Sequence, residues 1–426
     1  MSSETHRAVH AVWGIESARV IASLARIVRD VGLAEELAQD ALVAALEQWP
    51  HAGIPQNPAA WLMATAKHRA INSLRRRKMV ERKHDELGHE LELHAEPEKL
   101  LAQLEAALDD EVGDDRLRLI FTACHPVLST EARVALTLRL LGGLTTDEIA
   151  RAFLAAEPTI AQRIVRAKRT LQEKQVPYEE PRAEELSERL ASVLEVVYLI
   201  FNEGYSASAG DDCMRPALIE EALRLGRLLA GLAPSEPEVH GLVALMELNA
   251  SRAAARTNAQ GEPILLLDQD RGRWDRLAIQ RGLLALARAE QLTQAPGPYV
   301  LQASITACHA RARTAADTDW TRIAAIYGRL SQLLPSPVVE LNRAVAVSMA
   351  EGPAAGLAIA DQLLSEPALR NYHLLPSARA DFLEKLGRHQ EAATEFERAA
   401  LMAQNARQRE RLMQRARAAD VAAKKL

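Results

Sequence analysis

The chain has 426 residues, 48% apolar, 26% charged and only 4% aromatic, with a formal net charge of -5. That balance excludes a disordered or fibrous polymer, and the length allows about three domains at ~150 residues each. Ala, Leu, Arg and Glu dominate and no convincing run of alternating β-branched residues occurs, so the expected fold class is all-α. No apolar stretch approaches a membrane span, and Met1 to Arg7 carries no signal-peptide core, which points to a cytoplasmic protein without a membrane partner.

In chain order, a first helix is expected from about Ile15 to Val31, broken at Gly32. A second, Ala34 to Trp49, keeps Leu37, Ala41, Val43, Ala44 and Leu46 for packing and leaves Glu36, Gln39, Asp40 and Glu47 polar. The loop Pro50 to Pro58 leads into a basic helix. From Trp61 to Lys83 eight basic residues face one acid, Glu81; from His84 to Asp115 twelve acids face Lys99 alone. Such segregation matters more than net charge: it suggests one surface for a polyanion and a solvated acidic connector. The expected division is 1–83, an acidic linker 84–113, a second helical domain 114–176, and a helical array 177–426 beyond the prolines Pro177 and Pro181.

Residues 61–78 place Leu62, Met63, Ala66, Ala70 and Leu74 on one side of a helix and Trp61, Thr65, His68, Arg69, Asn72, Arg75 and Arg76 on the other. An aromatic, hydrogen-bonding side chains and arginines on one face suit DNA whose bases are unstacking. Packing of Trp61 on the preceding helix is the competing reading. In the second domain Thr145 and Glu148 form a capping box, and Pro158 suits the first turn of a following helix. Ile160, Ile164, Ala167 and Leu171 should pack inward, leaving Gln162, Arg163, Arg166 and Arg169 for a major groove in a helix-turn-helix. An amphipathic hairpin with a solvated basic face fits the same pattern.

No constellation of an enzyme emerges, and no cofactor or metal is expected. Cys124-His125 and Cys308-His309 lack a second ligand at zinc spacing, and with Cys213 the thiols are odd in number, so buried thiols are expected. Polar clusters at 202–205 and 269–275 either cap helices and form buried ion pairs or line a groove for a ligand. Ala380, Leu383, Gly387, His389, Ala392, Phe396 and Ala399 fall where a tetratricopeptide helix pair places its packing residues; a fainter unit spans Asn342–Leu364.

The order of these segments resembles the extracytoplasmic-function sigma factors of RNA polymerase. Ala34 to Leu42 looks like the helix that binds core polymerase, Trp61 to Arg77 like the segment that melts and reads the minus-ten promoter element, and Glu148-Ile149-Ala150 with Thr159-Ile160 and Arg163 to Lys168 like the reader of the minus-thirty-five element. Ile120 to Pro126, Phe201 to Tyr205, Gln269-Asp270-Arg271, Thr318-Asp319-Trp320 and Pro335 to Ala346 resemble a subgroup with a fused tetratricopeptide-like domain. The resemblance implies a non-enzymatic subunit with core polymerase and promoter DNA as partners. Glu36, Gln39 and Asp40 would contact polymerase; Trp61, Thr65, His68, Arg69, Asn72, Arg75 and Arg76 the minus-ten element; Thr159, Gln162, Arg163, Arg166 and Lys168 the minus-thirty-five element. His68 stands where the family usually has Asn, and Asn72 where it has Asp. The C-terminal helices are expected to regulate in cis or to receive a protein partner or ligand, and the acidic linker to run through the polymerase interior. Two rivals stay open: a helix-turn-helix regulator that never joins polymerase, and a small-molecule binder or enzyme centred on 183–426 with Asn202, Glu203 and Asp270 as its polar groups.

Overall fold

A computed structural model describes residues 2–85, 112–153, 155–205, 214–258, 264–403 and 406–424. The expected acidic linker lies almost wholly outside the described residues, as does Cys213. The described residues form eighteen α-helices and no strand, in two compact units, 1–200 and 201–426.

In the first unit, α1 (Ser2–Val28), α2 (Val31–Ala52) and α3 (Pro58–Asp85) pack together. Their apolar stripes meet in a cluster of Val9, Ala45, Trp49 and Leu62. The expected break at Gly32 falls earlier. Arg29 takes a positive φ of 53°, and the Asp30 carboxylate accepts from Leu33 N at 3.0 Å, so a side-chain cap starts α2 and Gly32 lies inside it. A Cβ added at Gly32 would lie 3.2 Å from Asp30 Oδ1 and 3.7 Å from Lys168 Cδ; the glycine serves a close approach. Pro50 does not end α2, which runs two residues further to Ala52 and closes at Gly53 (φ 85°), whose N–H donates to Trp49 O.

The unit continues with α4 (Val112–Ala123), α5 (Thr130–Leu140), α6 (Thr146–Ala152) and α7 (Glu157–Glu173). The capping box forms as the sequence implies: Thr145 N donates to Glu148 Oε2 at 2.8 Å and Glu148 N to Thr145 Oγ1 at 3.2 Å. Ile160, Ile164, Ala167 and Leu171 are buried. Beyond α7 the chain does not leave the unit. The Tyr178 hydroxyl sits 3.0 Å from Ala22 O and 2.9 Å from Asp115 O. The helix α8 (Ala183–Tyr205) then bonds to the back of α4: Arg189 donates to Phe121 O at 2.7 Å and Ser192 Oγ to Cys124 O at 2.6 Å.

The second unit runs through α9 (Pro216–Leu232), α10 (Pro237–Ala250), three short 3-10 turns, α11 (Arg276–Leu292), α12 (Pro298–Arg311), α13 (Trp320–Leu333), α14 (Pro337–Glu351), α15 (Pro353–Gln362), α16 (Leu374–Lys385), α17 (His389–Met402) and α18 (Ala406–Ala423). From α13 onward each helix packs on the next. Helices pair at both positions where the sequence places its repeat units. Gly352 (φ 107°) joins α14 to α15 and Gly387 (φ 77°) joins α16 to α17. Ala380, Leu383, Ala392, Phe396 and Ala399 are all buried in one cluster.

Candidate nucleic-acid and polymerase interface

On α3, Leu62, Ala66 and Ala70 are fully buried, which turns the opposite face outward. His68, Arg75 and Arg76 are exposed; Trp61, Thr65, Arg69 and Asn72 are half-buried. Trp61 packs edge-on against the buried Trp49, ring centroids 5.5 Å apart, so much of its surface belongs to the core. His68 Nδ1 and Asn72 Nδ2 lie 3.4 Å apart, a loose pairing one turn along the same face. Arg69 reaches back to Asp40 at 3.4 Å and ties this face to α2. The seven expected minus-ten residues therefore share one side of α3.

On α2, Glu36 and Asp40 are exposed, whereas Gln39 turns inward and donates to Glu35 Oε1 at 2.7 Å. Glu35 is the residue that reading for an exposed polar face missed. It is 3% exposed, it accepts from Arg139 of α5 at 2.6 Å through Oε1, and its other oxygen pairs with Lys168 of α7. A signal existed: Val31, Ala34, Glu35, Ala38, Ala41 and Ala45 follow the spacing of the buried stripe, so a carboxylate there needs buried cationic partners.

On α7, Thr159, Gln162, Arg163 and Arg166 line an open groove of about 420 Å³ together with Ser129 and Glu131 at the start of α5. The Ser129 hydroxyl caps α5 by accepting from Ala132 N. Arg166 is exposed and Arg163 half-buried; guanidinium groups beside a helix N-terminus suit phosphate and base edges. Lys168 stands apart from these four, on the Glu35 side, where Gln172 also reaches Asp30 at 3.3 Å. The α2 and α7 surfaces thus meet directly, beside a cavity of about 460 Å³ lined by Arg26, Asp30, Lys168, Gln172 and Tyr178. Arg26 closes its far side by pairing with the buried Asp115 at 3.0 Å; desolvation raises that carboxyl despite Arg26 and Arg118.

Cys124 and Cys308 are both buried free thiols. Cys124 lies 3.3 Å from Thr137 Oγ1 and its pKa is pushed up to about 11 by burial; Cys308 donates to Ser304 O and is also raised by burial. Among the described residues no cluster of three metal-ligating side chains occurs, and no helix is long and apolar enough to cross a membrane.

A helical module with an outward basic face, followed by a capped helix-turn-helix, defines a sigma-type initiation subunit. Residues 16–79 match the model of Sigma-70 region 2, residues 118–171 that of Sigma-70, region 4, and residues 189–290 a family of unknown function, DUF6596. An uncharacterized protein of Rhizobium meliloti (strain 1021) is 43% identical over 396 residues, spanning 91% of this chain and 90% of that protein. The chain belongs to the sigma-70 family as an extracytoplasmic-function factor with a fused C-terminal helical domain, and it serves transcription initiation with core RNA polymerase and promoter DNA as partners. Its family consists of DNA-binding regulators, not enzymes.

Proposed function

We propose that Glu36 and Asp40 of α2 contact core polymerase, joined by Gln39 once it is freed from Glu35. Thr65, His68, Arg69, Asn72, Arg75 and Arg76 engage the minus-ten element, with Trp61 as a wall behind them. Thr159, Gln162, Arg163 and Arg166 engage the minus-thirty-five element, and Lys168 adds a phosphate contact after release. The exposure of Glu36, Asp40, His68, Arg75, Arg76, Thr159, Gln162 and Arg166 supports the assignment.

One observation carries the regulatory part of the reading: the Glu35 contact between the two modules. Promoter elements ten and thirty-five base pairs before the start are ~25 base pairs apart, or ~85 Å of B-form DNA. Modules that touch through α2 and α7 cannot read both at once. The contact therefore belongs to a resting form, and initiation requires Arg139 and Lys168 to part from Glu35. We assign control of that step to the C-terminal domain acting in cis. The bonds from α8 to α4 support this, because the helix leading into that domain is fastened to the second module.

Reconstitution tests the reading: the purified chain with core polymerase on a library of promoter fragments should give specific initiation. Binding of duplex DNA with no initiation and no association with polymerase would favour the plain helix-turn-helix regulator. A chain ending after Tyr205 keeps α8 and should initiate with altered promoter yield; unchanged yield and affinity would remove the cis role.

A further inference from the structure

Several arginines of the second unit are matched by carboxylates. Arg227 and Arg281 share the buried Glu247, Arg215 meets Glu203, Arg379 joins Asp361 and Glu395, and Arg415 takes Asp381 and Glu384. Arg252, Arg256 and Arg271 differ. They gather around Tyr205 and Trp274, and no carboxylate of the described residues pairs with any of them.

Their hydrogen-bond partners are neutral, and Asp317 acts on Arg271 only through space. Arg252 donates to Tyr205 Oη at 2.9 Å and Asn249 Oδ1 at 2.7 Å. Arg256 donates to Tyr205 O, and its guanidinium carbon lies 3.8 Å from the centre of the Tyr205 ring. Arg271 donates to His309 O, to Ala312 O at 2.8 Å and to Thr318 Oγ1 at 3.2 Å, 4.8 Å from the Trp274 ring. Helix-end carbonyls and ring faces carry only partial negative charge, so they orient the guanidinium groups without neutralising Arg252 and Arg256.

The same neighbourhood leaves polar atoms without partners: Arg252 Nε, Arg271 Nε, Trp274 Nε1 and His309 Nδ1 are buried and unbonded. Burial, then the charges of Arg252 and Arg271, hold His309 at about 4, so its ring is neutral at pH 7 and Nδ1 is free to donate or accept. Among the described residues the unbonded buried atoms around these arginines are mainly donors, with Gln269 Oε1 as an unpaired acceptor two residues from Arg271, an imbalance that native interiors seldom keep. Arg252 and Arg256 are half-buried and reach solvent, whereas Arg271 and His309 are 9% and 7% exposed.

We propose that Arg252 and Arg256, backed by Arg271, bind the oxyanion group of a small ligand, a phosphate or a carboxylate, beside Tyr205. The polar groups first suspected here do other work: Glu203 pairs with Arg215, and Asp270 caps the turn at Gly272 N. An oxyanion supplies the missing acceptors and gains from the low-dielectric surroundings of the arginines. The proposal is independent of the sigma assignment, since binding is read on the free protein without polymerase or DNA.

The test is calorimetric titration and thermal melting of the full chain with inorganic phosphate, with succinate, and with sodium chloride at matched ionic strength. Saturable binding of one anion per chain is expected, with a midpoint raised by roughly 5 °C at a hundredfold excess over Kd. The phosphate and succinate arms tell which oxyanion is preferred, and chloride should have no such effect. Arg256→Gln, at the half-exposed rim, should keep the wild-type helical spectrum and lose at least tenfold in affinity; Arg252→Lys keeps the charge and should retain most of it. No saturable binding of either oxyanion, or equal binding by Arg256→Gln, overturns the proposal.

Discussion

Replacing Glu35 by Gln keeps the shape of the side chain and removes its charge. Glu35 Oε1 accepts from Arg139 at 2.6 Å and Gln39 at 2.7 Å, while Oε2 meets Lys168. Breaking a buried ion pair from one side costs ~3–5 kcal/mol. The Arg139 and Lys168 side chains are each 22% exposed, so water recovers part of this once the charge is gone, leaving ~2–3 kcal/mol. At ~1.4 kcal/mol per tenfold, the ratio of closed to open forms should fall ~30–140-fold. Energy transfer between dyes at Glu47→Cys on α2 and Glu173→Cys on α7, in a Cys213→Ser background, reads the separation directly. Transfer should drop in Glu35→Gln and in Arg139→Met, and the double variant should open little further than either, because both remove the same contact. Core polymerase should bind the opened variants more tightly. Unchanged transfer in both variants, with helical content intact, would refute the latch.

Other outcomes follow from the same contacts. Arg166→Ala should weaken binding to minus-thirty-five duplexes by ~1–3 kcal/mol if it reads a base, or lower the salt dependence by about one counterion if it holds a phosphate; anisotropy titrations across salt distinguish the two. Thr145→Ala removes one half of the capping box and should cost ~1 kcal/mol of stability in the first unit, seen in denaturant melts. In a Cys213→Ser background, Cys124 and Cys308 should resist a disulfide reagent at pH 8 until the chain unfolds, since burial holds both thiols protonated, Cys124 at about 11. His309 is held at about 4, below an unfolded value of ~6.5, so the folded state binds fewer protons between those values. Its contribution is complete above pH ~6.5 and is lost as pH falls toward 4, up to about 3 kcal/mol; His309→Gln should flatten that part of the melting profile.

Local patterns were legible before any coordinates. The Thr145–Glu148 box, the buried stripe Ile160–Ile164–Ala167–Leu171 and the pairs joined at Gly352 and Gly387 each depend on residues a few positions apart, where helix geometry leaves one arrangement. The expected break at Gly32 failed for an equally local reason: a glycine permits a turn, whereas the Asp30 carboxylate stabilises one by capping α2.

Composition and helical periodicity alone determined that the chain is all-α, that its first half presents two basic faces, and which side chains on α3 and α7 face outward. Tertiary structure alone decided what those faces meet. Glu35 and Lys168 are separated by more than a hundred residues, as are Arg26 and Tyr178, which line one cavity, and Arg252, Arg256 and Arg271 come from turns whose spacing follows no period. The reason is physical: a helix fixes its own faces through hydrogen bonds four residues apart, but a buried charge is matched or left unmatched only when distant segments pack, and nothing periodic in the chain records that choice.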